Sequence, residues 1–166
     1  MKYTKKRWFC IFPVLYWAPG AFADYKSDIG YTDLKALLGA NTPTGAGVYV
    51  LQAEASAVIS IDTNYPVYAQ DIINSQFVGK TFSFPGVAST SPSGHATGVG
   101  SLLYGSNSIA YGINNITSYE ANARLGSLYH NTVSAPPNGS RIANHSWVGN
   151  GDTAAETGLI LRLVDR

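Results

Sequence analysis

Residues Val48-Tyr49-Val50-Leu51-Gln52-Ala53 form a nearly continuous apolar run of strand length. A strand with one face in water alternates apolar and polar residues, because successive side chains point to opposite faces. An unbroken run instead suits a strand covered on both faces, as in a parallel sheet flanked by helices. The rest of the chain agrees with that frame. Phe77 to Phe84 alternates well enough for a peripheral strand, and Asn115 to Tyr119 and Arg141 to Val148 are further strand candidates. Gly94 to Tyr104 is apolar on one side through Val99, Leu102 and Leu103, and Glu120 to Tyr129 aligns Ala121, Leu125 and Leu128 along one helical face. Strands and helices thus alternate, which predicts an α/β fold with a parallel sheet.

Two helices carry local punctuation. Ile29 to Leu38 has Ile29, Leu34, Leu37 and Leu38 in roughly helical spacing and stops at Gly39, a C-cap candidate, before the turn-rich segment Asn41 to Gly47. Thr153-Ala154-Ala155-Glu156 reads as a capping box, in which hydroxyl and carboxylate satisfy free amides at a helix start. Leu159, Ile160, Leu163 and Val164 then make an apolar stripe. A crossover helix normally delivers the chain to another parallel strand, and none follows before Arg166. The expectation is a sheet incomplete at the C-terminus with one open edge. Gly98 and Gly100 are poor helix formers, so a helix at 94 to 104 must be held by close packing.

The first 23 residues read as a signal peptide. Lys2, Lys5, Lys6 and Arg7 precede the largely apolar run Trp8 to Ala18, then Pro19-Gly20 and Ala21-Phe22-Ala23. Small residues at the −3 and −1 positions predict cleavage after Ala23 and a secreted or periplasmic product of residues 24–166. The apolar run, interrupted by Pro13, is short for a membrane anchor, so no membrane association is expected after cleavage. Cys10, the sole cysteine, lies in this segment, so the mature chain has no disulfide and no thiolate metal site. Beyond Ala23, seven basic residues face ten acidic ones, a net charge of −3. That is not the electrostatic footprint of a nucleic-acid binder. No His, Asp and Glu cluster has metal-ligand spacing, and Gly39 to Gly45 lacks the lysine of a phosphate loop, so no metal or cofactor is expected.

Four segments, in order, carry a resemblance. Gly45 to Glu54 ends a buried strand on a carboxylate. Ser93-Gly94-His95-Ala96-Thr97-Gly98-Val99-Gly100 sets a histidine among small residues. Ser108-Ile109-Ala110-Tyr111-Gly112-Ile113 and Arg141-Ile142-Ala143-Asn144-His145-Ser146-Trp147-Val148-Gly149 precede and form later strands. Together they resemble the subtilisin-like (subtilase) serine peptidases. The second segment is similar to the Gly-His-Gly-Thr-His-Val-Ala-Gly motif and the fourth to the Val-Ile-Asn-Met-Ser-Leu-Gly strand. The resemblance implies a subtilisin-like parallel sheet with flanking helices. It also implies His95 as general base, Glu54 at the acid position orienting it, and Ser146, Trp147 and Val148 binding an extended peptide or protein substrate as an added strand. The family's nucleophile motif, Gly-Thr-Ser-x-Ala-x-Pro, does not occur in these residues, and none of their serines matches it. The expectation is a partial peptidase domain that does not hydrolyse peptides by itself.

The residues also admit plainer readings. His95 could be a helix cap or surface residue, Glu54 an exposed strand end, His145 a packed histidine and Trp147 a pocket wall. Asp62 and Asp71 are alternative carboxylates, both placed in loop. Asn115, Asn138 and Asn144 begin short glycosylation-type triplets. A secreted, non-catalytic peptide-binding or adhesion module is the competing function.

Overall fold

The central apolar run becomes β1 (Tyr49–Glu54), buried from Val50 through Glu54. It sits inside a four-stranded sheet of order β3 (Thr81–Ser83), β5 (Asn115–Glu120), β1, β6 (Ile142–His145), numbered along the chain. Every pairing is parallel, and β1 aligns Glu54 with Glu120 on one side and Ala53 with His145 on the other. The computed structural model describes residues 24–56, 66–86, 90–130, 139–148 and 153–164. The segment read as a signal peptide (residues 1–23), Asp62 and Asn138 lie outside these residues.

Burial on both faces follows from the helices. Val50 and Ile116 face α3 (Gly94–Tyr104) and pack with Phe77, Tyr104 and Ile113. Phe77, Phe82 and Tyr104 form an aromatic cluster with ring centres 5.3 to 6.1 Å apart, contacts worth about 0.5–1.5 kcal/mol each beyond area burial. Leu51 and Ala53, which alternate to the other face, are also buried. α4 (Ala121–His130) packs on β5 and β1, and α5 (Ala154–Val164) packs on α4. The molecule is therefore α/β with a parallel central sheet flanked by helices.

Several expectations change in detail. The helix read over Ile29 to Leu38 forms as α2 (Tyr31–Leu38) with Gly39 as its C-cap, and a short helix, α1 (Tyr25–Asp28), precedes it across Gly30, whose φ of 74° lies in the left-handed region. Its apolar stripe is not core: Leu37 is 80 % exposed and no residue of either helix is buried. The pair is attached by phenols instead, Tyr25 donating to the Asn107 carbonyl and Tyr31 to that of Ile109. The strand from Phe77 shrinks to β3, after a 3-10 turn at Ser75–Phe77. The strand from Arg141 stops at His145. A second, two-stranded parallel sheet joins β2 (Val67–Ala69), within the stretch between Asp62 and Asp71 read as loop, to β4 (Ser91–Pro92). The capping box forms as expected: Glu156 accepts from the Thr153 amide at 3.0 Å, and the Thr153 hydroxyl accepts from the Glu156 amide at 3.2 Å. Asn115 and Asn144 lie within strands rather than the surface loops that glycan acceptors favour.

Candidate functional site

The C-terminal ends of β1 and β6 and the start of α3 meet at one edge of the sheet, where parallel α/β sheets usually place their sites. Glu54 is the last residue of β1. His95 is the second residue of α3, and the helix start is fixed by its neighbours. The Ser93 hydroxyl caps it, accepting from the Ala96 amide at 3.3 Å. The Ser93 amide donates to the Ala69 carbonyl at 2.7 Å, tying the helix start to β2. Thr97 donates to the Ser93 carbonyl and accepts from the Asp71 amide, both at 2.8 Å. The cap of α3 is thus Ser93, which leaves His95 free to project.

His95 Nδ1 lies 3.9 Å from Glu54 Oε2, the imidazole 58 % exposed and the carboxylate 3 %. That is an ion-pair separation, longer than a hydrogen bond. The carboxylate's other oxygen is held firmly. Glu54 Oε1 accepts from Gln52 Nε2 at 2.6 Å, and the same nitrogen donates to the Ala96 carbonyl at 3.1 Å. Gln52 Oε1 accepts from the Tyr104 hydroxyl. Gln52 and Tyr104 are completely buried. Burial pushes the Glu54 carboxyl above its ordinary value, while the Gln52 hydrogen bond and then His95 pull it back. Burial, reinforced by Glu54, also raises the Tyr104 phenol, so that hydroxyl stays a donor.

Facing this pair, Trp147 Nε1 donates to His145 Nδ1 at 3.2 Å, with the rings edge to face at 5.9 Å. Burial and then Arg124 lower the His145 pKa, favouring a neutral ring with its proton on Nε2. Asn144 donates to the Ser146 hydroxyl at 2.8 Å. Glu54, His95, Ser146, Trp147 and Val148 all line one open cavity of about 590 Å³, together with Ala55, Ser56, Ser93 and His145. Val148, at 96 % exposed, forms its apolar rim. Ser146 to Val148 lie beyond the end of β6, so they follow the strand rather than continue it.

The five site residues named from the sequence are among the nine that line this cavity, and sequence reasoning misses two residues behind them. Gln52 had a readable signal: a polar residue inside an apolar strand, two positions before Glu54 and so on the same face. Tyr104 had a fainter one, closing the i, i+4 series Ala96, Gly100, Tyr104 along the buried side of α3. Asp71 does not serve as an alternative partner for His95: its carboxylate accepts from the Ile73 amide at 3.3 Å, within its own turn. Among the described residues, no three His, Cys, Asp or Glu side chains gather as a metal centre would. No described helix is long and apolar enough to cross a membrane. Chemically, the arrangement offers an exposed imidazole backed by a buried carboxylate, beside an apolar groove at a strand end. Comparison with protein-family models, with curated proteins and with solved structures found no match.

Proposed function

We propose that this chain is an exported domain carrying the acid–histidine half and the peptide-binding strand end of a subtilisin-like serine endopeptidase site. The observation that supports this reading best is the approach of the Glu54 carboxylate to His95 Nδ1 at 3.9 Å, at the mouth of the groove lined by Ser146, Trp147 and Val148. In a Ser/His/acid triad the imidazole takes the serine proton through Nε2, and the carboxylate fixes the tautomer and stabilises the resulting imidazolium. Glu54 serves as the acid with one methylene more than aspartate, and Gln52 holds the oxygen that does not face His95. Ser146 to Val148, just past the end of β6, offer backbone and an apolar rim to a polypeptide laid along the strand end. These 166 residues lack the Gly-Thr-Ser-x-Ala-x-Pro nucleophile motif. By themselves they bind extended polypeptide and do not cleave it.

A secreted, non-catalytic peptide-binding module is the second reading, favoured by the same missing motif and by a carboxylate–imidazole gap longer than a hydrogen bond. Two measurements on the full chain test both. Calorimetric titration with unfolded, alkylated casein should give binding that Trp147→Ala weakens at least about tenfold, the scale of a small hot spot. A fluorophosphonate probe should label no serine. Labelling would overturn the absence of a nucleophile, and failure to bind casein would overturn the groove. Binding equally strong in His95→Ala and Glu54→Gln fits both readings. A gain of hydrolysis when a Gly-Thr-Ser-x-Ala-x-Pro segment is supplied in trans selects the peptidase.

A further inference from the structure

One amide side chain touches both elements that build the acid–histidine pair. Gln52 Nε2 donates to Glu54 Oε1 on its own strand and to the Ala96 carbonyl in the first turn of α3, the residue after His95. Its two N–H groups are therefore both used, and its oxygen is taken by Tyr104. Flipping the amide would set its oxygen against the Glu54 carboxylate and the Ala96 carbonyl, so one orientation is selected. Tyr104 is locked in turn by the aromatic cluster with Phe77 and Phe82. A glutamate side chain has three rotatable bonds, and two oxygens that exchange places on rotation about the last. With Oε1 held at 2.6 Å by Gln52, only Oε2 is left to face His95.

The geometry points to Gln52, seated by Tyr104, as a positioning residue that aims Glu54 Oε2 at His95 Nδ1 and so selects the Nδ1–H tautomer, leaving Nε2 as the free base. This inference rests on the reading of Glu54 and His95 as an acid–histidine pair, and it does not depend on any bound peptide or nucleophile. A role confined to folding would leave the tautomer unchanged, so tautomer state is the readout. His145 supplies an internal reference, because its Nδ1 accepts from Trp147 and its tautomer is set independently of Gln52.

The test is long-range ¹H–¹⁵N correlation NMR on the ¹⁵N-labelled full chain at about pH 8, above the ordinary histidine pKa. In the wild type His95 should be mainly Nδ1–H and His145 mainly Nε2–H. Gln52→Met, nearly isosteric, should shift His95 to mainly Nε2–H and leave His145 unchanged. Tyr104→Phe, which frees the Gln52 oxygen, should move His95 in the same direction by a smaller amount. A wild-type His95 that is mainly Nε2–H overturns the inference. So does a folded Gln52→Met that keeps Nδ1–H or moves both histidines together. Should Gln52→Met not fold, Tyr104→Phe decides, with an unchanged His95 overturning the inference. Loss of fold in both variants also overturns it, because Gln52 would then be a requirement of folding. Casein binding with an unexpected tautomer defeats this inference alone; the expected tautomers without binding defeat the proposed function alone.

Discussion

Adding one methyl to α3 should have opposite effects two residues apart. A Cβ at Gly100 would stand 2.6 Å from the Tyr104 hydroxyl, 2.9 Å from its ring carbon Cζ and 3.1 Å from Phe77 Cζ. A Cβ at Gly98 would meet nothing within 4 Å. Both Gly→Ala changes gain helix propensity, about 0.5–1 kcal/mol. Gly98→Ala keeps that gain. Gly100→Ala must displace a tyrosine that is completely buried and hydrogen-bonded to Gln52. Overpacking of this kind costs about 1–3 kcal/mol, and parting two buried hydrogen-bond partners adds about 1–3 kcal/mol. The net expectation is a loss of about 1–5 kcal/mol for Gly100→Ala, most of it from the shared contact with Tyr104. Urea unfolding followed by circular dichroism checks this. With a slope of about 2 kcal/mol/M, a central loss near 3 kcal/mol lowers the midpoint by about 1.5 M, while Gly98→Ala raises it slightly. Equal midpoints for Gly100→Ala and wild type, or a lower midpoint for Gly98→Ala, would refute the packing argument.

Further predictions follow from charge, caps and edges. Burial raises the Glu54 carboxyl above 4.5, so the folded state holds this proton more tightly than the unfolded chain. The stability tied to it is full below pH 4.5 and is lost as pH climbs through the raised value. Glu54→Gln should remove this decline; urea midpoints that fall as steeply as wild type across that window would contradict it. Ser93→Ala and Thr153→Ala each remove a helix cap and should cost about 1 kcal/mol by urea unfolding, with no loss in either sinking the cap assignments. β6 carries no further strand on its outer side among the described residues, and Ile142 on it is exposed. Ile142→Lys should therefore slow concentration-dependent light scattering, and an unchanged rate would locate the association surface elsewhere.

The parts of this molecule legible without coordinates are those set by near neighbours in the chain. The Val48 to Ala53 run announced a doubly covered strand. The capping box at Thr153 needed only four residues. Gly98 and Gly100 within α3 required a close neighbour without saying which glycine met it. Glu54 and His95 were each readable as the end of a strand and the start of a helix. The segment from Ile29 to Leu38 forms the helix its spacing announced and stops at Gly39, although its apolar stripe is left uncovered. Spacing describes a face, and only the rest of the chain decides whether anything covers it.

Tertiary structure decided the remainder because it depends on residues far apart in sequence. Sheet order, with β1 between β5 and β6, sets Glu54 beside Glu120 and Ala53 beside His145. No local pattern specifies a parallel partner, since parallel strands are joined by long crossovers rather than turns. β2 and β4, three and two residues long, were too short for any period to show, yet they anchor the start of α3. The Tyr104–Gln52–Glu54 chain spans 52 residues between its phenol and its amide. Local pattern was enough to place a carboxylate at the end of an apolar strand and a histidine at the start of a helix. Only the fold, by packing α3 against β1 so that one buried amide touches both, brought the two within 3.9 Å.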